Sequence, residues 1–532
     1  MRVALGQINT TVGDLAGNTA KMIDFAARAA ERQAELIVFP ELSITGYPPR
    51  DLVEMPSFLL DSEAALSQLA ERTGHLPIAI VAGFVARSAA ETGNRATNCA
   101  ALLEGGHVKF RQAKVLLPNY DVFDEARYFV SAESQETFAF RSSKLAIAIC
   151  EDAWNDKKFW VHRRYQRDPV EELISQGGDF LININSSPYW TGKRQVRRDM
   201  VAAQARRHKV PVVWVNQVGG NDQLVFDGSS FAMNAEGNVV ASACSFAEDL
   251  VLFEHNANHA DECEAVYEAL VLGTRDYVRK CGFSKALIGL SGGIDSSLVA
   301  CIAVEALGKE NVVGISMPGP YSSPGSISDA QALADNLGIR MISAPITSAY
   351  QCMAAALPKS EVTQENIQSR LRGVTMMAYS NDTGALVLTT GNKSEIAVGY
   401  CTLYGDMCGG LAVISDVPKT MVYALSHLRD NMIPQTVFDK PPSAELRPNQ
   451  KDTDSLPDYD TLDAILREYV EHYRTPAEIS RFLEVPLALT EDIAAKVDRN
   501  EYKRQQAAPG LKITSKAFGI GRRFPIAQKY RS

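Results

Sequence analysis

Cysteine is sparse in this sequence and never closely paired. Nine are scattered among 532 residues with no C-x-x-C, so neither a zinc knuckle nor a disulfide framework is indicated. In a reducing cytosol most of them are small core residues. Histidine is scarce as well, with eight. His255 and His259 stand at helical spacing, but their run H-N-A-N-H offers no further ligand, so a metal site is not expected there. No apolar run approaches the roughly 18 residues that a membrane-spanning helix needs. Met1 to Gly6 is too short an apolar start for a secretory signal, and Asn9 to Asp14 is polar. The expectation is a cytoplasmic protein without a membrane partner. A basic excess is also lacking: the net charge is −9, from 54 Lys and Arg against 63 Asp and Glu. That argues against nucleic acid as the main partner.

What the chain does have is an ordinary globular composition, 46% apolar and 22% charged. At about 150 residues per domain, its length predicts two to four domains. The most informative stretch is Lys285 to Leu307. Ala286 to Leu290 reads as a buried parallel strand and Leu298 to Leu307 as a helix. Between them, Ser291, Gly292, Gly293, Ile294, Asp295, Ser296 and Ser297 form a strand-to-helix turn. The glycines let an anion approach the backbone, the helix start offers free N–H groups and a positive dipole end, and the serines add hydroxyls. The expected ligand is a phosphate chain. No lysine follows the glycines, so this is not a Walker loop, and charge neutralisation must come from elsewhere. Asp295, an acid beside phosphates, makes sense as a Mg²⁺ ligand. Its alternative is a cap on the following helix.

The first half alternates strands and helices. Val3 to Ile8, Ala34 to Phe39, Ile78 to Val85, Asn98 to Leu103, Leu145 to Ile149, Phe180 to Ile184 and Val210 to Val215 read as strands, and Asn18 to Glu31 as a helix. The pattern predicts a layered α/β domain. Three residues fall at strand ends: Glu41 in F-P-E-L, Lys114 in R-Q-A-K before L-L-P-N-Y, and Cys150 after A-I-A-I. A carboxylate, an ammonium and a thiol can form a nucleophilic site. Glu41 would take the thiol proton, Cys150 would attack an acyl carbon, and Lys114 would stabilise the oxyanion. Taken singly, each reads as an ordinary helix-start charge, surface lysine or core cysteine.

Together these segments resemble the nitrilase, or carbon-nitrogen hydrolase, superfamily, whose triad is Glu, Lys and Cys in this chain order. The resemblance spans roughly Met1 to Leu250. It implies an α-β-β-α sandwich, here placed at 1–255. Many members follow the nucleophile with Tyr-Asp; this chain has Glu151-Asp152, as in the glutaminase branch. That branch implies glutamine binding by Tyr120, after L-L-P-N, and by Ser187 and Lys193 in N-S-S-P-Y-W-T-G-K. Ser186 competes with Ser187 for that role. Glu125 matches a second glutamate near the site.

The polar stretch Phe246 to Cys263 places a domain boundary near 260. Beyond it, Ala265 to Lys280 has helical spacing. Val312 to Met317, Arg340 to Ala344 and Ala385 to Thr389 read as strands, and Asp329 to Leu337 as a helix. G-P-Y-S-S-P-G-S-I-S-D-A before that helix reads as a loop. Thr363-Gln364-Glu365-Asn366 opens a helix carrying Arg370 and Arg372. The repeated strand-helix units predict a doubly wound parallel sheet with its ligand outside the carboxyl ends of the strands.

The S-G-G-I-D-S-S turn is similar to the pyrophosphate loop of enzymes that use ATP to adenylylate an oxygen and let nitrogen displace AMP. That group includes NAD, GMP and asparagine synthetases and several tRNA-modifying enzymes. T-G-N-K-S-E from Thr390 to Glu395, G-Y-C-T-L-Y-G-D, P-P-S-A-E-L-R-P from Pro441 to Pro448 and N-E-Y-K-R from Asn500 to Arg504 narrow the resemblance to the NAD synthetase family, placed at 262–532. The resemblance implies ATP contacts from the loop and Thr390, and deamido-NAD contacts from Asn366, Glu395 and Lys503. It also implies Mg²⁺ on Asp295 and Glu395, and a homo-oligomer, at least a dimer through this half. The two halves together imply glutamine, ATP and deamido-NAD as small-molecule substrates. One rival is the same pair of halves acting on a different carboxylate. A tRNA-thiolating enzyme is another, although paired cysteines and a basic face are missing. A catalytically idle scaffold is the third, and the intact catalytic residue types stand against it.

Overall fold

The structure is a computed structural model that describes residues 1–89, 92–252 and 261–530. It divides into two compact units, Met1–Asp261 and Glu262–Ser532. Residues 253–260 of the polar stretch read as the boundary lie outside the described residues, and the His255 and His259 pair lies there.

The first unit is built on two six-stranded sheets. One runs in the order Asp249–Leu252, Val3–Gln7, Leu36–Val38, Ala79–Arg87, Ala96–Glu104, His107–Ala113. The other runs Val239–Ser242, Phe231–Met233, Val212–Asn216, Phe180–Asn185, Ser143–Ile149, Phe138–Phe140. Because successive side chains in a strand point to opposite faces, each strand feeds two cores. Val3, Leu5, Leu36 and Val38 meet Ile147, Ile149, Ile182 and Val213 between the sheets. Ala4 and Ile37 turn outward onto Phe25 and Leu66 of the helices Leu15–Glu31 and Pro56–Thr73. Ala146, Leu181 and Trp214 turn outward onto Leu173 and Met200 of Pro169–Ser175 and Lys193–His208. The result is the α-β-β-α sandwich. Strands buried on both faces read as continuous apolar runs, which made them legible in the sequence; each fully buried Val, Leu or Ile contributes about 1.5–3 kcal/mol.

The second unit carries a five-stranded, all-parallel sheet in the order Arg340–Ser343, Val312–Ser316, Ala286–Gly289, Leu386–Thr389, Leu411–Ala412. Leu287, Ile315 and Val387 pack on Met376 of the helix Glu361–Thr383. The strand order reverses between Ala286–Gly289 and Leu386–Thr389, and a doubly wound sheet opens a crevice at that point. Both expected nucleotide segments leave the sheet there.

Two expectations need correction. Much of the Gly/Pro/Ser-rich loop is helix, since Pro324–Leu337 starts at Pro324. Ser323 caps it by accepting from the Ser326 N–H at 3.0 Å, and a proline at the first position has its φ already set for a helix. The helix carrying Arg370 and Arg372 begins at Glu361, so Thr363 lies inside its first turn rather than at its cap. Among the described residues, no helix is long and apolar enough to cross a membrane.

Candidate functional site

Glu41, Lys114, Cys150 and Ser186 each follow the end of a strand at one rim of the sandwich. Lys114 Nζ donates to Glu41 Oε1 at 2.7 Å and to Glu125 Oε1 at 2.9 Å, with the lysine and Glu41 fully buried. Burial works against the ammonium, but the Glu125 and Glu41 carboxylates outweigh it and hold the lysine well above its usual range. Glu41 is bound on all sides. It also accepts from Asn98 Nδ2 at 2.7 Å and from the Ser186 N–H at 2.9 Å. Burial pushes Glu125 up to about 7, against the pull of Lys114, and Tyr47 donates its hydroxyl to it at 2.9 Å.

Cys150 opens the short turn Cys150–Ala153 at φ +45°, a left-handed conformation that non-glycine residues rarely adopt. Burial and the neighbouring Glu41 push its thiol well up, with Lys114 pulling the other way. The same environment therefore disfavours the thiolate form of Cys150. Tyr120 donates to Glu151, the residue after Cys150, at 3.0 Å, and the Arg164 guanidinium lies 3.9 Å above the Tyr120 ring. Of the two adjacent serines, Ser186 touches Glu41. Ser187 is buried, and its N–H donates to Asn216 Oδ1 at 2.8 Å. Lys193, the first residue of its helix, donates to the Pro188 carbonyl at 2.8 Å and lies over the Trp154 ring.

The second unit holds a cavity of about 310 Å³ lined by Ser291, Gly293, Ile294, Asp295, Thr390 and Glu395, among others. Gly292 has φ +76°, and a Cβ there would come within 2.1 Å of the Ser326 carbonyl oxygen, so the turn admits only glycine. The serine hydroxyls are partly spent on the loop itself. Ser296 and Ser297 donate to the Gly293 carbonyl at 3.0 and 2.9 Å, and Ser291 pairs with Ser296 at 3.1 Å. Asp295 is not a cap: Gly293 precedes the helix, and no side chain caps it. Asp295 instead accepts from Asn392 Nδ2 at 2.9 Å and from Lys419.

Lys419 is the residue that sequence reasoning missed. It is 124 positions from Asp295, yet its Nζ joins Asp295 to Glu395, reaching Glu395 at 3.3 Å. It lines the cavity and is only 2% exposed. Burial opposes its charge, but Asp295 and Glu395 raise it above its usual range. The cation missing after the glycines thus arrives from the helix Lys419–His427, with no local signal. Arg372, which the sequence did single out, also lines the cavity and is tied to the Met317 carbonyl at 3.1 Å. Asn366 and Lys503 do not line the cavity; they brace the segment 399–402. Asn366 accepts from the Thr402 hydroxyl at 2.8 Å, and Lys503 donates to the Gly399 and Cys401 carbonyls at 2.8 Å.

The donor set suits Mg²⁺. Two hard carboxylates, Asp295 and Glu395, share one partner beside the glycine turn, and Mg²⁺ is commonly held by one or two carboxylates plus substrate phosphates. Among the described residues no cluster of three or more His, Cys, Asp or Glu forms an all-protein cage.

Comparison with known proteins agrees with this geometry. The carbon-nitrogen hydrolase family matches residues 2–263 and the NAD synthase family residues 266–507. An amide-hydrolysing sandwich and an ATP-using parallel-sheet unit in one chain define a class, the ligases that take their nitrogen from an amide donor. The glutamine-dependent NAD(+) synthetase of Synechocystis sp. is 48% identical over 99% of this chain and 99% of its own. That of Thermotoga maritima is 40% identical over 100% of this chain and 99% of its own. The solved glutamine-dependent NAD+ synthetase of Acinetobacter baumannii, in complex with adenosine diphosphate, superposes with a TM-score of 0.77 at 39% identity, covering 99% of this chain and 98% of that one. The chain belongs to the glutamine-dependent NAD(+) synthetases.

Proposed function

We propose that Glu41, Lys114 and Cys150 cleave glutamine in the first unit and that the cavity at the Ser291–Ser297 turn adenylylates deamido-NAD in the second. The observation that carries the first assignment is the fully buried Lys114 ammonium held between Glu41 and Glu125. Glu41 takes the Cys150 proton, and the sulfur attacks the side-chain carbonyl carbon of glutamine. Lys114 faces the developing oxyanion. The C–N bond breaks, and ammonia leaves with the proton that Glu41 returns. Water, deprotonated by Glu41, then hydrolyses the thioester to glutamate and restores the thiol. Tyr120, Ser187 and Lys193 hold glutamine.

In the second unit a nicotinate carboxylate oxygen attacks the α-phosphate of ATP, and pyrophosphate leaves. Ammonia then displaces AMP from the acyl carbon, forming the amide. The turn Ser291, Gly292, Gly293, Ile294, Asp295, Ser296 and Ser297, with Thr390, cradles the phosphates, and Lys419 supplies a buried positive charge beside them. Asn366, Glu395 and Lys503 hold deamido-NAD, the first and last through the segment they brace. Asp295 and Glu395 would hold Mg²⁺, which when bound neutralises phosphate charge. Cys99, Cys150 and Cys301 are buried thiols, in keeping with a cytoplasmic setting. Exposed Val362, Val374 and Met377 on the helix Glu361–Thr383 support a homo-oligomer through this unit, which sedimentation would test.

The test of the two-site reading is Cys150→Ala. It should abolish NAD formation from glutamine and leave synthesis from ammonium largely intact, read by product assay with each donor. Equal loss with both donors would refute the assignment.

A further inference from the structure

Lys114 and Cys150 come from different sheets. Lys114 follows His107–Ala113 at the edge of the first sheet, and Cys150 follows Ser143–Ile149 in the second. Apolar packing between the sheets sets their spacing only loosely, because such contacts carry no direction. Catalysis by a thiol and an ammonium needs the two held far more closely. One side chain joins the two strand ends. Asp152 accepts at Oδ1 from the Val115 N–H at 3.1 Å and the Leu116 N–H at 2.7 Å, and at Oδ2 from the Ile149 N–H at 3.1 Å. The first of these donors is next in the chain to Lys114, and the last is next to Cys150. Asp152 is 2% exposed, and its two oxygens are divided between the two sheets.

We propose that Asp152 is a positioning residue for glutamine cleavage, a clamp whose carboxylate fixes the Cys150 turn against the Lys114 strand end. The inference rests on the reading of Glu41, Lys114 and Cys150 as the amide-cleaving set. An acid in the first turn of a short helix ordinarily just caps it, accepting from the N–H that precedes the turn. The Ile149 bond fits that role. The bonds to Val115 and Leu116 do not, since they cross to the segment that follows the edge strand of the other sheet. The clamp also accounts for the conformation of the nucleophile. A cysteine held in the left-handed region is strained and persists only when its surroundings over-determine it. With its preceding N–H tied to Asp152, which is itself anchored across the sandwich, the Cys150 turn is fixed at both ends.

The experiment measures glutamine hydrolysis and ammonium-driven NAD synthesis by the full chain carrying Asp152→Asn, Asp152→Ser or Lys114→Ala. The amide keeps the shape of the carboxylate but turns an N–H₂ toward one set of donors. The serine keeps one acceptor for the Ile149 N–H and cannot reach across. The clamp predicts a kcat for glutamine lowered about 10- to 100-fold in both Asp152 variants, the scale of a misplacement near 1 Å, with KM for glutamine and ammonium-driven synthesis little changed. Unchanged kcat in Asp152→Asn, or kcat preserved in Asp152→Ser, reduces Asp152 to a cap and overturns the proposal. A rise in KM at constant kcat overturns it as well, by moving Asp152 to substrate binding. Should either variant lose its cooperative melt, Asp152→Glu keeps the charge and displaces it by one methylene; undiminished kcat there overturns the clamp. Lys114→Ala separates the two failures. If it keeps glutamine hydrolysis the triad reading fails, and if it loses hydrolysis while Asp152→Asn keeps it, only the clamp fails.

Discussion

The two sites differ in how complete they are before any substrate arrives. In the first unit both charged groups of the proposed triad, Glu41 and Lys114, already have their partners. Glu41 accepts from Lys114, Asn98 and Ser186, and Lys114 is shared between Glu41 and Glu125. In the second unit Asp295, Glu395 and Lys419 have chiefly one another, around an open cavity of about 310 Å³. The chemistry explains the contrast. Amide cleavage moves one proton and one electron pair at a single carbon, and a rigid, dry set of dipoles serves it best. Adenylylation admits a multiply charged nucleotide and releases pyrophosphate, so the site must leave charges for the substrate to complete. A preassembled site should fail abruptly when one member is changed, and a substrate-completed site should fail by degrees that depend on ligand concentration.

The sharpest test of this contrast is Glu41→Gln. It removes the proposed base and should lower glutamine-driven kcat by about 10²–10⁴-fold, with ammonium-driven synthesis unchanged. A loss that saturating glutamine repaired would break the comparison, because Glu41 would then act in binding. Lys419→Ala should come next, lowering synthesis about 10²–10³-fold with either donor while glutamate release persists, as measured by separate product assays. A smaller effect is expected of Asp295→Asn. Its Mg²⁺ requirement in ammonium-driven synthesis should rise at least about tenfold, with the melting temperature nearly unchanged.

The smallest effect concerns stability and pH. Burial, with Asp295 adding to it and Lys419 opposing, raises the Glu395 pKa from 4.5 to about 8. A folded pKa above the unfolded one gives stability that is fully present below 4.5 and lost as pH rises through about 8. The melting temperature should therefore fall across that window and fall less in Glu395→Gln, about 2–4 °C for each kcal/mol retained. Parallel curves for the two proteins would mean that Glu395 does not titrate there.

The sequence by itself determined the layers and which residues stand at the strand ends. Apolar runs such as A-I-A-I and L-I-V-F can satisfy their backbone and bury both faces only as interior strands, and residues that follow such strands emerge at a rim. Glu41, Lys114, Cys150 and the Ser291–Ser297 turn were legible for that reason. Helix limits were less so. The rule that proline and serine favour loops gave way to their equally local fitness for a first turn at Ser323 and Pro324.

The tertiary structure alone decided the partnerships. Lys419 reaches Asp295 across 124 positions, Asp152 spans two sheets, and Asn98 finds Glu41 from two strands away in the sheet. None has a periodicity or spacing to announce it. A buried charge is stabilised by whichever partner the packed fold brings within about 3 Å, and nearness in space is unrelated to nearness in the chain.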